Sequence, residues 1–185
     1  FVSFEYNEDP QSDSGADNDP YDWHGHGTHV SGTIAAEEND TGIIGVAPLA
    51  KIMTARGLDS YGSGSILDLI NGVYYIANNG ADIMNNSWGG QGSYQPLTDA
   101  FDYAKSMGVI SVAASGNSYS NVKDFLPANI DSVISVGNYT AWNNKNSSSN
   151  WGSTLDIAAP GTSIISVLSE GSYFDNYYQD SVYNG

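Results

Sequence analysis

The chain has 185 residues, enough for one domain with a sizeable core, and 40% of them are hydrophobic, which excludes a disordered segment. Five Lys and Arg stand against 21 Asp and Glu, a net charge of -16, so there is no basic face for nucleic acid or for an anionic membrane. Cysteine is absent, which removes disulfides and thiol chemistry, and no apolar run approaches the ~18–20 residues that cross a bilayer. The chain opens in mid-pattern at Phe1, with no Met and no signal peptide, and so reads as a piece of something longer.

Residues 5–22 are polar and rich in Asp, Asn and Pro, and predict a loop. The run from His24 to Ala36 then starts a first helix, with Val30 and Ile34 on one face. A loop from Glu37 to Gly45 leads through G-V-A-P to Ala50–Ala55, which predicts a short buried strand. After the Gly-Ser turn at Tyr61–Gly64, the spacing of Ile66, Leu69, Ile70, Val73, Ile76 and Ala77 predicts a helix. Ser63 or Ser65 is its N-cap, and Asn79-Gly80 ends it. Strands are expected at Ala81–Ser87, Val109–Ala114, Val133–Val136, Leu155–Ala158 and Ile164–Val167, and a third helix around Leu97, Ala100, Phe101 and Ala104 stops near Gly108. Ser172–Gly185 is aromatic and polar without a clear period. Strands alternating with helices imply a parallel sheet covered on both faces.

The chemistry begins with the histidines. All three, His24, His26 and His29, lie in one glycine-rich helix start. An imidazole there titrates near neutral pH, and its small neighbours let a substrate backbone approach. In open α/β sheets, active groups gather beyond the carboxyl ends of strands. Two motifs fall there, S-W-G-G (Ser87–Gly90) and A-A-S-G-N (Ala113–Asn117). An Asn after a glycine at such an end can aim its amide N–H at developing negative charge, although taken alone it also reads as a turn residue.

The series H-G-T-H-V-S-G-T-I-A-A, G-V-A-P, N-N-S-W-G-G, A-A-S-G-N and A-P-G, in this order along almost the whole chain, resembles the subtilisin-like serine proteases. The histidine motif is highly specific, and the others are weak singly and strong together. The resemblance implies an α/β, three-layer subtilisin-like fold over residues 1–185, a mostly parallel sheet with helices on both faces, incomplete at both ends. It implies a Ser-His-Asp triad in the chain order Asp, His, Ser. His26, the first His of H-G-T-H, takes the catalytic position, and His29 becomes a packing residue. Asn117 takes the oxyanion-hole position. Ser87, Trp88 and Gly89 would pair with the substrate backbone as an added strand, opposite a second rail at Ser63 and Gly64. Ala114 and Gly116 with Trp88 would edge the primary specificity pocket, where Trp88 replaces the family's usual aliphatic residue.

Two triad members have no match. Asp13-Ser14-Gly15 spells the family's aspartate motif, but it follows no buried strand and lies only thirteen positions before His26. Gly161-Thr162-Ser163 imitates the nucleophile motif but continues with Ile164-Ile165 instead of Met-Ala. The aspartate is therefore expected before Phe1 and the serine just after Gly185, leaving the fragment inactive alone.

The loop E-E-N-D-T-G-I implies a structural calcium site, with the Asn39 side chain and the carbonyls of Glu37, Thr41 and Ile43 as hard oxygen ligands. Asp17, Asp19 and Asp22 resemble a second calcium loop. The resemblance further implies a polypeptide substrate, a propeptide and an extracellular or cell-surface location, with no nucleic acid and no membrane insertion. The alternatives are a catalytically dead relative that binds peptides on the same rails, or a calcium-stabilised structural module of a surface protein.

Overall fold

Ladder hydrogen bonds decide which of the β-branched segments become strands. The computed structural model describes residues 2–3 and 21–177, and its elements in chain order are β1 (Val2–Ser3), α1 (His26–Ala35), β2 (Ala55–Arg56), α2 (Ile66–Asn78), β3 (Ile83–Asn86) and β4 (Gly90–Gln91). They continue with α3 (Gln95–Ser106), β5 (Ile110–Ala114), a 3-10 turn at Val122–Asp124, β6 (Phe125–Leu126), β7 (Val133–Tyr139), β8 (Ile157–Pro160) and α4 (Tyr173–Tyr177). The chain divides into two units, Phe1–Gly72 with Ser163–Gly185, and Val73–Thr162; the division falls inside α2.

The second unit holds a four-stranded parallel sheet in the order β3-β5-β7-β8. Its register places Met84, Asn86, Ser111, Ala113, Val133 and Ser135 on one buried face. Helix α3 covers β5 through Leu97, Ala100, Phe101 and Ala104, all four fully buried. Phe101 alone contributes roughly 1.5–3 kcal/mol by leaving water. The end of α2 lies beside α3, where the Tyr103 hydroxyl donates to Asn78 Oδ1 at 2.6 Å and the rings of Tyr74 and Tyr103 are 5.2 Å apart. The opposite face of the sheet displays Ile83, Ile110, Ile134 and Ile157, all exposed. An apolar row on each face is the composition of a parallel sheet built for cover on both sides.

The first unit is organised around α1. The G-V-A-P segment docks on its carboxyl end, where the amides of Gly45, Val46 and Ala47 donate to the carbonyls of Ala36, Thr33 and Ile34 and satisfy acceptors that a helix end leaves open. The segment after Ser163 packs beside the helix: Ser166 Oγ donates to the His29 carbonyl at 2.7 Å, and His29 Nε2 lies 3.1 Å from the Ile164 carbonyl. The approach is close enough that a Cβ on Gly32 would stand 2.5 Å from Val167 Cγ2. His29 is thus a buried packing residue.

Two strand expectations are corrected here. Ala50–Ala55 contributes only its last residue to a strand, β2, which pairs in parallel with the two-residue β1. Ile164–Val167 forms no ladder among the described residues; it is held instead by His29 of α1, through the ring nitrogen and the backbone carbonyl. In both cases β-branched composition signals a surface that fits against a neighbour, which is a weaker demand than strand pairing. The N-cap of α2 is Ser65, whose Oγ accepts from the Leu67 amide at 3.2 Å.

Candidate active site

In the first unit, α1 begins at His26, the residue after a left-handed Gly25 with φ 98°. A Cβ on Gly25 would lie 2.8 Å from Ser172 Oγ, so both the backbone angle and the space require glycine. The helix start is held by Asp22. Its Oδ1 accepts from the amides of His24 (3.1 Å) and Gly25 (2.8 Å), and its Oδ2 accepts from the Thr28 amide (2.7 Å) and hydroxyl (2.8 Å). A carboxylate at this place satisfies orphan amides and meets the positive end of the helix dipole. With both oxygens occupied four times, Asp22 acts as a helix cap, a role different from the calcium ligand expected beside Asp17 and Asp19. Those two, and Asp13, lie outside the described residues.

His26 is half-buried, and burial pushes its pKa below the usual histidine value. Positive charge on His24 and His29 pushes it the same way, while Asp22 opposes. The neutral, proton-accepting ring is therefore favoured at neutral pH. His24 lies at 6.1 Å from His26, edge to face, and is itself covered by Phe174 (4.4 Å) and stacked on Tyr173 (5.9 Å). Burial lowers the His24 pKa as well, against Asp22 and Asp59.

The Ser63–Gly64 loop belongs to the same unit. Asp59 organises it by accepting from the amides of Tyr61 and Ser63, both at 2.9 Å, while its own amide donates to the Ser63 carbonyl at 2.8 Å. Gly62 sits against His24, since a Cβ there would be 3.0 Å from Nε2.

In the second unit, Ser87, Trp88 and Gly89 follow β3, and Ala114, Gly116 and Asn117 follow β5. The two strands are adjacent, in the register Asn86↔Ala113, so both motifs leave the same end of the sheet. Asn117 is exposed. Trp88 is half-buried with its ring 6.3 Å from Phe101 of α3, so part of it extends the core. Gly89 lies so close to β6 that a Cβ would be 2.6 Å from the Leu126 carbonyl. Gly116 has φ +97°, with Phe125 Cδ1 3.8 Å and Asn150 Nδ2 2.6 Å from where a Cβ would stand.

A histidine capped into a helix start, a glycine-rich loop against it, and an Asn beyond a parallel strand are arrangements that many folds could share. The family match decides between them: the model of the subtilase family matches residues 2–183. The chain belongs to the subtilase family. It is 40% identical over 158 residues to a thermophilic serine proteinase of Bacillus sp. (strain AK1), covering 85% of this chain and 39% of that one. To subtilisin DY of Bacillus licheniformis it is 40% identical over 155 residues, covering 82% of this chain and 57% of the relative. Among solved structures, a cold-adapted subtilisin-like serine proteinase superposes with a TM-score of 0.77 at 37% identity, covering 84% of this chain and 56% of that one. A Pseudoalteromonas arctica protease gives a TM-score of 0.80 at 30% identity, with 87% and 56% covered. This chain spans 39 to 57% of the length of those two curated relatives.

The fold is accordingly the three-layer α/β fold of the subtilases, as the motif series implies. The expected residues of this subtilase divide between the two units: His26, Ser63 and Gly64 in one, and Ser87, Trp88, Gly89, Ala114, Gly116 and Asn117 in the other. Asp59, Phe125, Leu126 and Asn150 were missed by motif reading, and Asp22 was read as a calcium ligand where it caps α1. Asp22 has a sequence signal, a carboxylate shortly before a helix start. Asn150 has none, because its partners lie about thirty residues away.

Proposed function

We propose that this chain is part of the catalytic domain of a serine endopeptidase that hydrolyses peptide bonds through an acyl-enzyme. His26 takes the proton of the nucleophilic serine hydroxyl as the oxygen attacks the carbonyl carbon, then gives it to the leaving amine. Asn117 donates its side-chain N–H to the oxygen that becomes negative. The triad's aspartate and serine belong to sequence outside residues 1–185, so these residues alone are inactive. The observation that carries the reading is the state of His26: a half-buried ring, held at a capped helix start, whose pKa burial keeps low enough for a base.

Ser87–Gly89 would pair with a substrate strand, and within Ser63–Gly64 that role falls to Gly64, since the Ser63 amide and carbonyl are both engaged by Asp59. Ala114, Gly116 and Trp88 border the pocket for the residue before the cleaved bond. The protein acts on polypeptides outside the cell or at its surface and matures with a propeptide. The test is labelling of the full-length protein with a serine-directed fluorophosphonate and mapping of the label. One labelled serine, with labelling abolished in His26→Ala, supports the protease; an unlabelled protein that still binds peptides is the inactive relative.

Structural calcium belongs to the same reading. The loop at Asn39 offers carbonyl and carboxylate oxygens, and an ion on Asn39 Oδ1 would displace the bonds that oxygen accepts from the Thr41 amide (3.2 Å) and hydroxyl (2.8 Å). Asn39 with the carbonyls of Glu37, Thr41 and Ile43 would hold the ion and stiffen the exposed loop. Calcium is expected to raise the melting temperature of the full-length protein relative to chelator, and Asn39→Ala to remove that rise. An identical melting temperature with calcium and chelator refutes the site.

A further inference from the structure

We propose that Asn150 is a positioning residue that fixes Asn117 through the backbone on both sides of it. The inference rests on the reading of Asn117 as oxyanion donor and adds the part that holds the donor still. Asn150 is fully buried. Its Oδ1 accepts from the amides of Ser118 and Ser120, both at 3.0 Å, and its Nδ2 donates to the Ser115 carbonyl at 2.8 Å. Its backbone amide donates to the Gly116 carbonyl at 2.9 Å. Four bonds from one residue therefore reach positions 115, 116, 118 and 120, while 117 itself stays exposed.

The chemistry of this site selects an asparagine. The loop presents amides on one side and a carbonyl on the other, and only a primary amide accepts and donates at these distances. An Asp would turn an oxygen toward the Ser115 carbonyl, and a Leu would leave the part-buried amides of Ser118 and Ser120 without their acceptor. Gly116 gives the loop the freedom that Asn150 takes away: its φ is +97°, and Asn150 Nδ2 lies 2.6 Å from where a Cβ would stand. The neighbouring segment strengthens the clamp, with Tyr119 donating to the Ser148 carbonyl (2.8 Å), Trp151 to Ser120 (2.9 Å) and Val122 to Trp151 (2.8 Å). An oxyanion donor acts only if it is already aimed, since a displacement of about 1 Å can cost about 10²-fold in rate.

The test compares Asn117→Ala, Asn150→Asp, Asn150→Ala and the double variants in the full-length protein. The Asp variant keeps the volume of the side chain should the Ala variant not fold. Each Asn150 variant is expected to lower kcat at least about tenfold with KM little changed, and to lower it by less than about twofold once Asn117 is already Ala. Amide exchange at Ser118 and Ser120 should accelerate, while that of β5 does not. An equal loss of kcat in both backgrounds, or unchanged kcat despite faster exchange, overturns the proposal and leaves Asn117 as donor. If Asn117→Ala itself leaves kcat unchanged, the reading of Asn117 falls and the proposal with it.

Discussion

The loops that carry His26 and Asn117 solve one problem with different chemistry. Each must hold an exposed or half-exposed side chain on backbone that a left-handed glycine makes flexible, Gly25 in one case and Gly116 in the other. The His26 loop is held by a carboxylate, Asp22, which suits a helix start where only donors need satisfying. The Asn117 loop is held by an amide, Asn150, which suits a turn where donors and a carbonyl are interleaved. The difference teaches that the first loop is electrostatically coupled to the proposed base, whereas the second would act by geometry alone.

The largest test of that contrast is removal of the two groups themselves. His26→Ala in the full-length protein is expected to lower kcat by about 10²–10⁴-fold, the range for a lost general acid-base. Asn117→Ala is expected to cost about 10²–10³-fold, a value known from removing such a donor in subtilisin itself. The second loss should be the same at every pH, because an amide does not titrate. A steady-state pH profile of both variants checks this, and a pH-dependent deficit in Asn117→Ala would erase the distinction.

Asp22 comes next in size. Asp22→Ala should lower stability by about 1–2 kcal/mol, read as a fall in the midpoint of chemical unfolding, because four donors at the start of α1 lose their acceptor. An unchanged midpoint would mean that water replaces the carboxylate at no cost.

What could be read from the sequence follows the range of each interaction. The His26 segment was legible because helix spacing, glycines and histidines all lie within thirteen residues. The strands at Ile110 and Val133 were legible because their runs are small or β-branched, and that at Ile83 because it leads into the S-W-G-G motif, although half of it is asparagine. Ile164–Val167 is equally β-branched, yet its partner is His29, through ring and backbone carbonyl, more than 130 residues away, which no local pattern encodes. Trp88 was read as a pocket wall, and its contact with Phe101 of α3 shows that half of its role is packing. Asn150 sits in a run of serines and asparagines that looks like an exposed turn, and only the fold reveals it as one of the most buried polar groups.

The smallest expected effect is also the sharpest on the coupling. Desolvation holds the His26 pKa below its ordinary value, with His24 lowering it further and Asp22 raising it. The acid limb of kcat/KM should therefore lie below about 6.5, the unperturbed histidine value. Removing a neighbour that lowers the pKa must raise it, so His24→Gln should move the limb to higher pH. Removing the one that raises it must do the reverse, so Asp22→Asn should move it to lower pH. Stability follows the same sign: His24 and His26 take up protons more readily unfolded than folded, so stability should decline as pH falls below about 6.5 and level off beneath their folded values. Asn150→Ala is the control from the other loop. It exchanges one uncharged side chain for another, so it should lower the plateau of the profile and leave the limb in place. Shifts of the same sign from His24→Gln and Asp22→Asn would show that burial alone sets the base, and that the carboxylate at the helix start is only a cap.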